Sequence, residues 1–558
     1  MEENPRMKLQ PATRVGIALI AIMLITFLVF SGTMRFDFVN FDDSIYVGKN
    51  PLVQTLSWAN VRWLFSNVYY HQYIPVTMMS HALDYAVWKS DPRGHHLTNV
   101  VLHSFNAGWV FLLALLAIGL ARRRSTGEID ATTFGGLVGN MPLFGAAAAA
   151  LLFSLHPLKA ESVAWVSDRK DLLCTFFLVP SFIAYIRYAS LRGTARARGW
   201  FVLSVSMFVL ALLSKLIAAV VPAVFLLLDY LLLPKEWRRP LSRLIWEKMA
   251  MLVPAAIVAL VSMIASPHAK VNVIVGKLTG VETWLFPFYS LFFYVEKTLL
   301  PVGLAPMYGS VGVGMMVFSF VAVVAIGAFC VAAALRRSYA PLLVFGASVI
   351  ILLPTIVGVS SGSQPFADRY FYLASIGVCI LVGGGMQGLW ERGTKSTVRL
   401  ALPVAVALVL VIFGLLSFRQ AGHWQNSETL WTYVLTIGTQ SVEYMDGYTN
   451  LEQAYLQAGM YDAAETVFKR AVAIDSTAAD AYFNMGYVCY YRGQTDSAMY
   501  LFRKTVRLDP AYAEAYFNIG VLNIAMKNEA AAVDSLKKAA QLGSRDAQQV
   551  LAKNGVKW

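Results

Sequence analysis

The 558-residue chain is 57% hydrophobic and only 14% charged, with a formal net charge of +13 and a mean hydropathy of +0.56. Apolar segments long enough to cross a bilayer recur from residue 13 to 417 and stop beyond residue 420. This excludes a wholly soluble protein. The positive charge does not require nucleic acid, because it is concentrated in short loops between apolar segments.

The N-terminus places Arg6, Lys8 and Arg14 before an apolar run ending at Phe30, with no clear small-x-small cleavage site, which predicts an uncleaved signal anchor. The next stretch, Phe36-Asp37-Phe38-Val39-Asn40-Phe41-Asp42-Asp43, sets two adjacent carboxylates among aromatics just outside the first span. Paired Asp after Asn-Phe also suits a solvated turn or a helix cap, so the pair alone does not define a site. The remainder of loop 32–95 carries Trp58, Trp63, Tyr69, Tyr70, Tyr73, Tyr85 and Trp88 at roughly helical spacing. This predicts amphipathic helices at the bilayer interface that hold the acidic pair near the surface.

Further along, ionisable residues collect at segment ends. His96, Asn99 and His103 share one face of a helix by their i, i+3, i+7 spacing. His156-Pro157-Leu158-Lys159-Ala160-Glu161 opens another loop and Asp168-Arg169-Lys170-Asp171 closes it. Lys215 stands alone between two apolar runs, and Asp368-Arg369-Tyr370 precedes a late one. Such groups are costly near lipid and need either a partner or a function. Packing at the interface would account for His96 and His103, and an ion pair with Asp171 or Glu161 would account for Arg169. As a set, the carboxylates supply a possible base and the cations a possible phosphate site.

Basic clusters at 122–124, 187–198, 235–243, 336–337 and 392–399 mark the cytoplasmic loops. The expected spans are 13–31, 96–120, 142–156, 171–190, 199–214, 216–233, 248–266, 312–335, 340–358, 370–389 and 399–417. Eleven crossings put the N-terminus inside and everything after residue 418 outside. Segment 283–300, with Glu296 and Lys297, is expected to be re-entrant or interfacial, because a crossing there would invert every later loop. Four cysteines (Cys174, Cys330, Cys379 and Cys489) are scattered, with neither metal spacing nor a disulfide framework.

The tail repeats every 34 residues, aligning Tyr448, Tyr482 and Tyr516; Asn450, Asn484 and Asn518; Ala464, Ala498 and Ala532; and Phe468, Phe502 and Leu536. That is the tetratricopeptide-repeat (TPR) pattern of stacked helix pairs. Three repeats from about residue 445 are expected, with a half-repeat at 424–438 and a capping helix at 545–558. The Asn column could hydrogen-bond an extended acceptor peptide, or each Asn could satisfy a local helix end.

Taken in order, Phe38-Val39-Asn40-Phe41-Asp42-Asp43, Asn50-Pro51-Leu52-Val53, His95 to His103, His156 to Glu161, Asp168 to Leu173, Ser214-Lys215, Ala367 to Leu373 and the repeats cover nearly the whole chain. This ordered set resembles the transmembrane and TPR-containing (TMTC-type) protein O-mannosyltransferases and their bacterial relatives, within the GT-C glycosyltransferases. The resemblance implies an all-α, polytopic GT-C-like domain over 1–420 and an extracytoplasmic TPR solenoid over 421–558. It implies an inverting transfer of mannose or another hexose from a polyprenyl-phosphate carrier to a hydroxyl, in the eukaryotic members a protein Ser or Thr. On it, Asp42 and Asp43 are the catalytic pair, with Asp42 favoured as base. Lys215, Arg169 and Arg369 hold the donor phosphate, and His96, Asn99, His103, His156, Glu161 and Asp171 shape the pocket.

Ile74-Pro75 stands where the eukaryotic members tend to have Arg-Pro, and Lys159 where His is expected. With the short repeat array, these departures leave sugar and acceptor open and point to a bacterial-type polyprenyl phosphate in an inner membrane. A divalent metal on the acidic pair is possible, but no third ligand is evident, and metal-independent catalysis is expected. Transfer to a lipid or glycan acceptor, and a non-enzymatic TPR scaffold, are the competing readings. A bare scaffold would not need so many spans or ionisable residues on one side.

Overall fold

The computed structural model describes residues 10–70, 72–126, 142–265, 278, 280–356, 366–393, 396–438 and 444–558. Arg6, Lys8 and Lys395, the side chains of Arg123 and Arg124, and residues 267–277 and 359–365 lie outside them. The chain divides into two compact units, Met1–Gln425 and Asn426–Trp558.

The first unit is helical. Among the described residues, eight helices are long and apolar enough to span a membrane: Pro11–Arg35, Pro92–Arg122, Val166–Ser190, Ala195–Leu212, Leu241–Ile264, Val313–Leu335, Asp368–Arg392 and Arg399–Gly422. A ninth candidate is the pair Leu143–Leu155 and Pro157–Ala164, bent by 55° where Pro157 interrupts the helix. Leu216–Leu231 and Ala340–Ile356 are apolar but shorter, so each of the eleven expected segments has a helix. Val281–Leu299, with Glu282, Glu296 and Lys297, is a helix outside the eight. The protein is an integral membrane protein built on these helices.

Small and polar residues hold the helices together, because apolar side chains gain little by leaving lipid for one another. A methyl group on Gly145 would lie 2.5 Å from the Gly383 carbonyl oxygen, and one on Gly383 would lie 2.2 Å from that of Gly145. The two backbones therefore touch, and Gln387 accepts a hydrogen bond from the Gly145 amide at 2.8 Å. Thr26 bonds Ser154 at 2.9 Å, and Ser417 bonds the Leu155 carbonyl at 2.8 Å.

Between the first two long helices the chain folds into a group of short helices. Trp58–Ser66 starts at Ser57, whose hydroxyl accepts the Asn60 amide at 3.1 Å, and Pro75–Trp88 starts with proline at its first position. Tyr46, Val47, Val53, Leu64, Ile74, Met78 and Ala82 bury against Val166 of the membrane unit. Trp58 stays 79% exposed, as an interfacial aromatic would. Ile74, which stands in place of the Arg expected from the resemblance, is a core residue here.

The second unit is a TPR solenoid. Helix Ser427–Ile437 precedes three helix pairs: Met445–Gln457 with Tyr461–Ile474, Ala479–Tyr491 with Thr495–Leu508, and Ala513–Ala525 with Glu529–Gln541. Arg545–Lys553 follows them. A side chain at Gly486 would meet Phe502 at 2.6 Å, and one at Gly520 would meet Leu536 at 2.8 Å, so each position fixes how closely its helix pair packs. Gly459 and Gly493 turn the chain between helices at φ +71° and +73°, and Lys527 adopts the same left-handed conformation at φ 59° one repeat later.

Candidate active site

The acidic pair divides into two different carboxylates. Asp43 is buried, and its oxygens accept hydrogen bonds from the Val39 amide (3.0 Å), the Ser167 amide (2.9 Å) and the Ser167 hydroxyl (2.5 Å). It closes its own turn and ties that turn to the start of the Arg169–Ser190 helix. Burial raises its carboxyl to about 6, against those hydrogen bonds, which favour the ion. Asp42 is only partly buried, and among the described residues its carboxylate takes no hydrogen bond. Burial raises its pKa too; Lys170 and then Arg369 oppose the rise, and Asp168 adds to it. The capping interpretation therefore describes Asp43, and the open carboxylate is Asp42.

Trp165 organises the space around Asp42. It is fully buried, stacked on Phe41 (centroids 4.7 Å apart, 17° between planes) and on Trp424 (5.6 Å, 22°). The Lys170 ammonium lies 5.6 Å from its ring centroid and the Arg369 guanidinium 5.4 Å. An aromatic platform thus holds two cations beside the acidic loop. Neither Trp165 nor Lys170 was expected at the site. The signal available for Lys170 was its place in Asp168-Arg169-Lys170-Asp171; successive residues of a helix start diverge by about 100°, so the four cannot share one target.

That divergence corrects the expectation for Arg169. It points inward, wholly buried, with Nη2 2.6 Å from Asp84, Nε donating to Asn99 at 2.8 Å and Nη2 to the His95 carbonyl at 2.8 Å. With its donors committed inside the protein, it does not face the site; its partner is Asp84 rather than Asp171 or Glu161. Lys215 is held by both oxygens of Asp171 at 2.5 Å. Arg369 pairs with Glu161 at 2.5 Å, and its backbone amide donates to the same carboxylate at 3.0 Å. Arg369 lies beside Trp165 and Lys215 beside Tyr370, while Glu161 and Asp171 act as their counter-charges rather than as open pocket walls.

The histidines also sort by partner. His96 reaches the Asp37 carbonyl (3.4 Å) and sets its ring edge against Phe36, so it pins the acidic segment. Asn99 donates to the Trp165 carbonyl at 3.1 Å and so positions the aromatic platform. His103 departs from the expectation: wholly buried, it donates from Nε2 to the Ser154 carbonyl (3.0 Å) and accepts at Nδ1 from Tyr372 (2.6 Å), deep in the helix packing. His156 accepts the Leu158 amide at Nδ1, so Nε2 carries the proton it gives to the Thr298 carbonyl at 3.0 Å. It ties the bent pair to Val281–Leu299. Lys159 is buried, bonded to Ser375 at 2.6 Å and boxed by Phe153, Phe371 and Tyr372. Among the described residues no three His, Cys, Asp or Glu side chains converge as a metal site.

In the repeats, two of the three Asn amides are committed between neighbours. Asn484 is buried with its amide 3.4 Å from Glu452, and Asn518 donates to Tyr487 at 3.2 Å and to the Glu514 carbonyl at 2.9 Å. These bonds staple successive repeats, so Asn484 is not an open peptide contact. Burial raises the Glu452 carboxyl to about 9, which keeps it protonated at neutral pH.

A helical membrane unit carrying a paired-carboxylate segment, joined to a TPR solenoid, defines the class of protein. Comparison with known proteins agrees. Residues 453–491 and 486–526 match the family described as TPR repeat, and residues 513–542 match Tetratricopeptide repeat. The chain is similar to human Protein O-mannosyl-transferase TMTC4, with 24% identity over 453 residues covering 72% of this chain and 59% of that protein. It is also similar to Drosophila melanogaster Protein O-mannosyl-transferase Tmtc3, at 22% identity over 72% of this chain and 48% of the relative. The chain thus spans about half to three-fifths of the length of these relatives. A solved structure with some likeness is the Archaeoglobus fulgidus oligosaccharyltransferase, at 15% identity and a TM-score of 0.39, over 78% of this chain and 59% of that one.

Proposed function

We infer that the protein is a membrane glycosyltransferase that moves a hexose from a polyprenyl-phosphate carrier to a hydroxyl, most simply a Ser or Thr of an acceptor protein. The observation that carries this reading is the contrast within the acidic pair: Asp43 is fully hydrogen-bonded, while Asp42 is open beside two cations. The similarity to protein O-mannosyl-transferases along most of the chain supports the same reaction class.

Asp42 takes the proton of the attacking hydroxyl as its oxygen bonds to the anomeric carbon. The bond from that carbon to the carrier oxygen breaks, the electron pair leaves with the phosphate, and the configuration inverts. Lys170, with Lys215 and Arg369, stabilises the departing phosphate; each of the latter two already balances one carboxylate, so an added phosphate would share them. Removing a proton from the nucleophile and charge from the leaving group are the two needs of this reaction. The TPR unit presents the acceptor polypeptide, and the acidic segment lies on the extracytoplasmic side, both as inferred from the charge pattern and repeats.

The test is transfer of a radiolabelled hexose from polyprenyl phosphate by the purified protein, with peptide, lipid and glycan fractions separated. Label in Ser/Thr peptides supports the reading. Label in the lipid or glycan fraction moves the acceptor to that class. Absence of both carrier binding and transfer overturns the enzyme assignment.

A further inference from the structure

The far end of the Arg169–Ser190 helix gathers two basic loops that are well separated in sequence. Arg192 donates to the Trp237 carbonyl and, at 3.0 Å, to Glu247, while Arg239 donates to the other Glu247 oxygen at 2.5 Å. Residues 187–198 and 235–243 are thereby stitched into one basic surface, and within these two segments Glu236 is the only carboxylate. The carboxylates that border them are already occupied. Glu247 is taken by Arg192 and Arg239, and Asp229 by Tyr185, Lys248 and Arg192. Arg243 stands one helical turn before Glu247, a spacing that ordinarily pairs such residues, and finds both oxygens in use. Arg196, Arg198, Lys235 and Arg243 are exposed, and among the described residues none has an ion pair or a side-chain hydrogen bond.

What borders these cations narrows their partner. Trp246 follows Arg243 by one turn on the helix Leu241–Ala265 and is 76% exposed, with Leu241 and Ile245 exposed beside it. Trp200 follows Arg196 by one turn on the helix Ala195–Leu212 and is half-buried. The two helices pack against each other. Each therefore enters its apolar span through a cation and then an aromatic ring on the same side. That is the order in which headgroup and acyl region are met from water. A soluble anion or an acidic peptide would match the cations and leave the apolar border in water. An anionic phospholipid matches both.

We propose that this surface binds an anionic phospholipid of the surrounding bilayer, its headgroup drawn by Arg196, Arg198, Lys235 and Arg243 and its chains lying along Trp246. The lipid bridges Ala195–Leu212 and Leu241–Ala265, a second tie beside the internal ionic cluster of Asp229 and Glu247. It is distinct from the sugar donor, because Ser167 joins the acidic pair to the opposite end of the Arg169–Ser190 helix. The site does not depend on which sugar is transferred, or on the acceptor.

The experiment titrates the full-length protein, delipidated in a neutral detergent, with phosphatidylglycerol, phosphatidylcholine or inorganic phosphate. Bound lipid is read by native mass spectrometry, and the unfolding temperature is followed in parallel. Phosphatidylglycerol binds about ten-fold or more tightly than phosphatidylcholine and raises the unfolding temperature saturably, because it binds the folded state. Phosphate at the same concentrations does neither. Arg196→Gln combined with Arg243→Gln removes two exposed charges, leaves the lipid-free unfolding temperature unchanged, and weakens phosphatidylglycerol by about five-fold per charge. Arg196→Lys combined with Arg243→Lys keeps most of the preference, which separates lost charge from a disturbed fold. Equal binding of the two lipids, an undiminished preference in the glutamine variant, or the same loss in the lysine variant overturns the proposal. Phosphate acting like phosphatidylglycerol also overturns it, by assigning the surface to free anions.

Discussion

Two buried ionic clusters sit along the Arg169–Ser190 helix, about 20 Å apart by helix rise, and they are built on opposite rules. Near the C-terminal end, Asp229 accepts from Tyr185 (2.6 Å), Lys248 (2.8 Å) and Arg192 (3.3 Å). Glu247 accepts from Arg192 at 3.0 Å and from Arg239 at 2.5 Å. Every carboxylate oxygen there has a donor. At the N-terminal end, the Asp42 carboxylate has none among the described residues, although Lys170 and Arg369 lie close by. A satisfied network locks helices; an unsatisfied one in the same protein is a place for something to bind. Charge in a membrane protein therefore does not mark a site by itself. Unmet hydrogen-bonding capacity does.

The contrast is breakable by mutation. Lys248→Met removes the nearest cation of Asp229, leaving Tyr185 and Arg192, and should lower unfolding stability by about 1.5–3 kcal/mol, read by thermal or denaturant unfolding in detergent. Loss of under 1 kcal/mol would mean that the C-terminal cluster is not a lock. Gly145→Ala tests the close packing of Leu143–Leu155 on Phe371–Arg392. Its methyl group would press on the Gly383 carbonyl, and overpacking of this kind costs about 1–3 kcal/mol; an unshifted unfolding midpoint would show that the two helices can separate.

A third change is in pH. The Asp43 carboxyl is raised to about 6 by burial, so ionising it opposes folding. That penalty is present above about pH 6 and disappears as pH falls toward the usual carboxylate range, so its contribution makes the protein more stable on acidification through that window. Asp43→Asn should flatten this part of the stability profile, and an unchanged profile would assign the titration to another group. The smallest effect expected is Lys527→Gly. It relieves a left-handed lysine where the two preceding repeats use glycine and should stabilise the TPR unit by up to about 1 kcal/mol, seen as a higher midpoint for its unfolding.

Much of this was legible in the sequence. Apolar length located the membrane helices and the 34-residue period located the repeats, because both depend on local pattern. Asp42-Asp43 stood out by type and place. The division of labour inside the pair did not, since it depends on Ser167 reaching Asp43 from a distant segment. Arg169 read as a phosphate ligand because its partner, Asp84, lies in the Pro75–Trp88 helix, which no spacing links to it. His103 shares a helical face with His96 but lies two turns deeper, where its partners are Ser154 and Tyr372. A periodicity gives the face of a helix, not the depth at which its residues find their partners.

The central claim is that Asp42 is the base and Asp43 its scaffold, and the most direct measurement sets the two asparagine variants side by side. Single-turnover transfer of hexose from polyprenyl phosphate is measured together with the unfolding midpoint of each protein. The account predicts that Asp42→Asn slows transfer by about 10²- to 10⁴-fold with an unfolding midpoint at or above that of wild type, whereas Asp43→Asn shifts the unfolding midpoint and retains far more of the rate. Transfer by Asp42→Asn at the wild-type rate would contradict it.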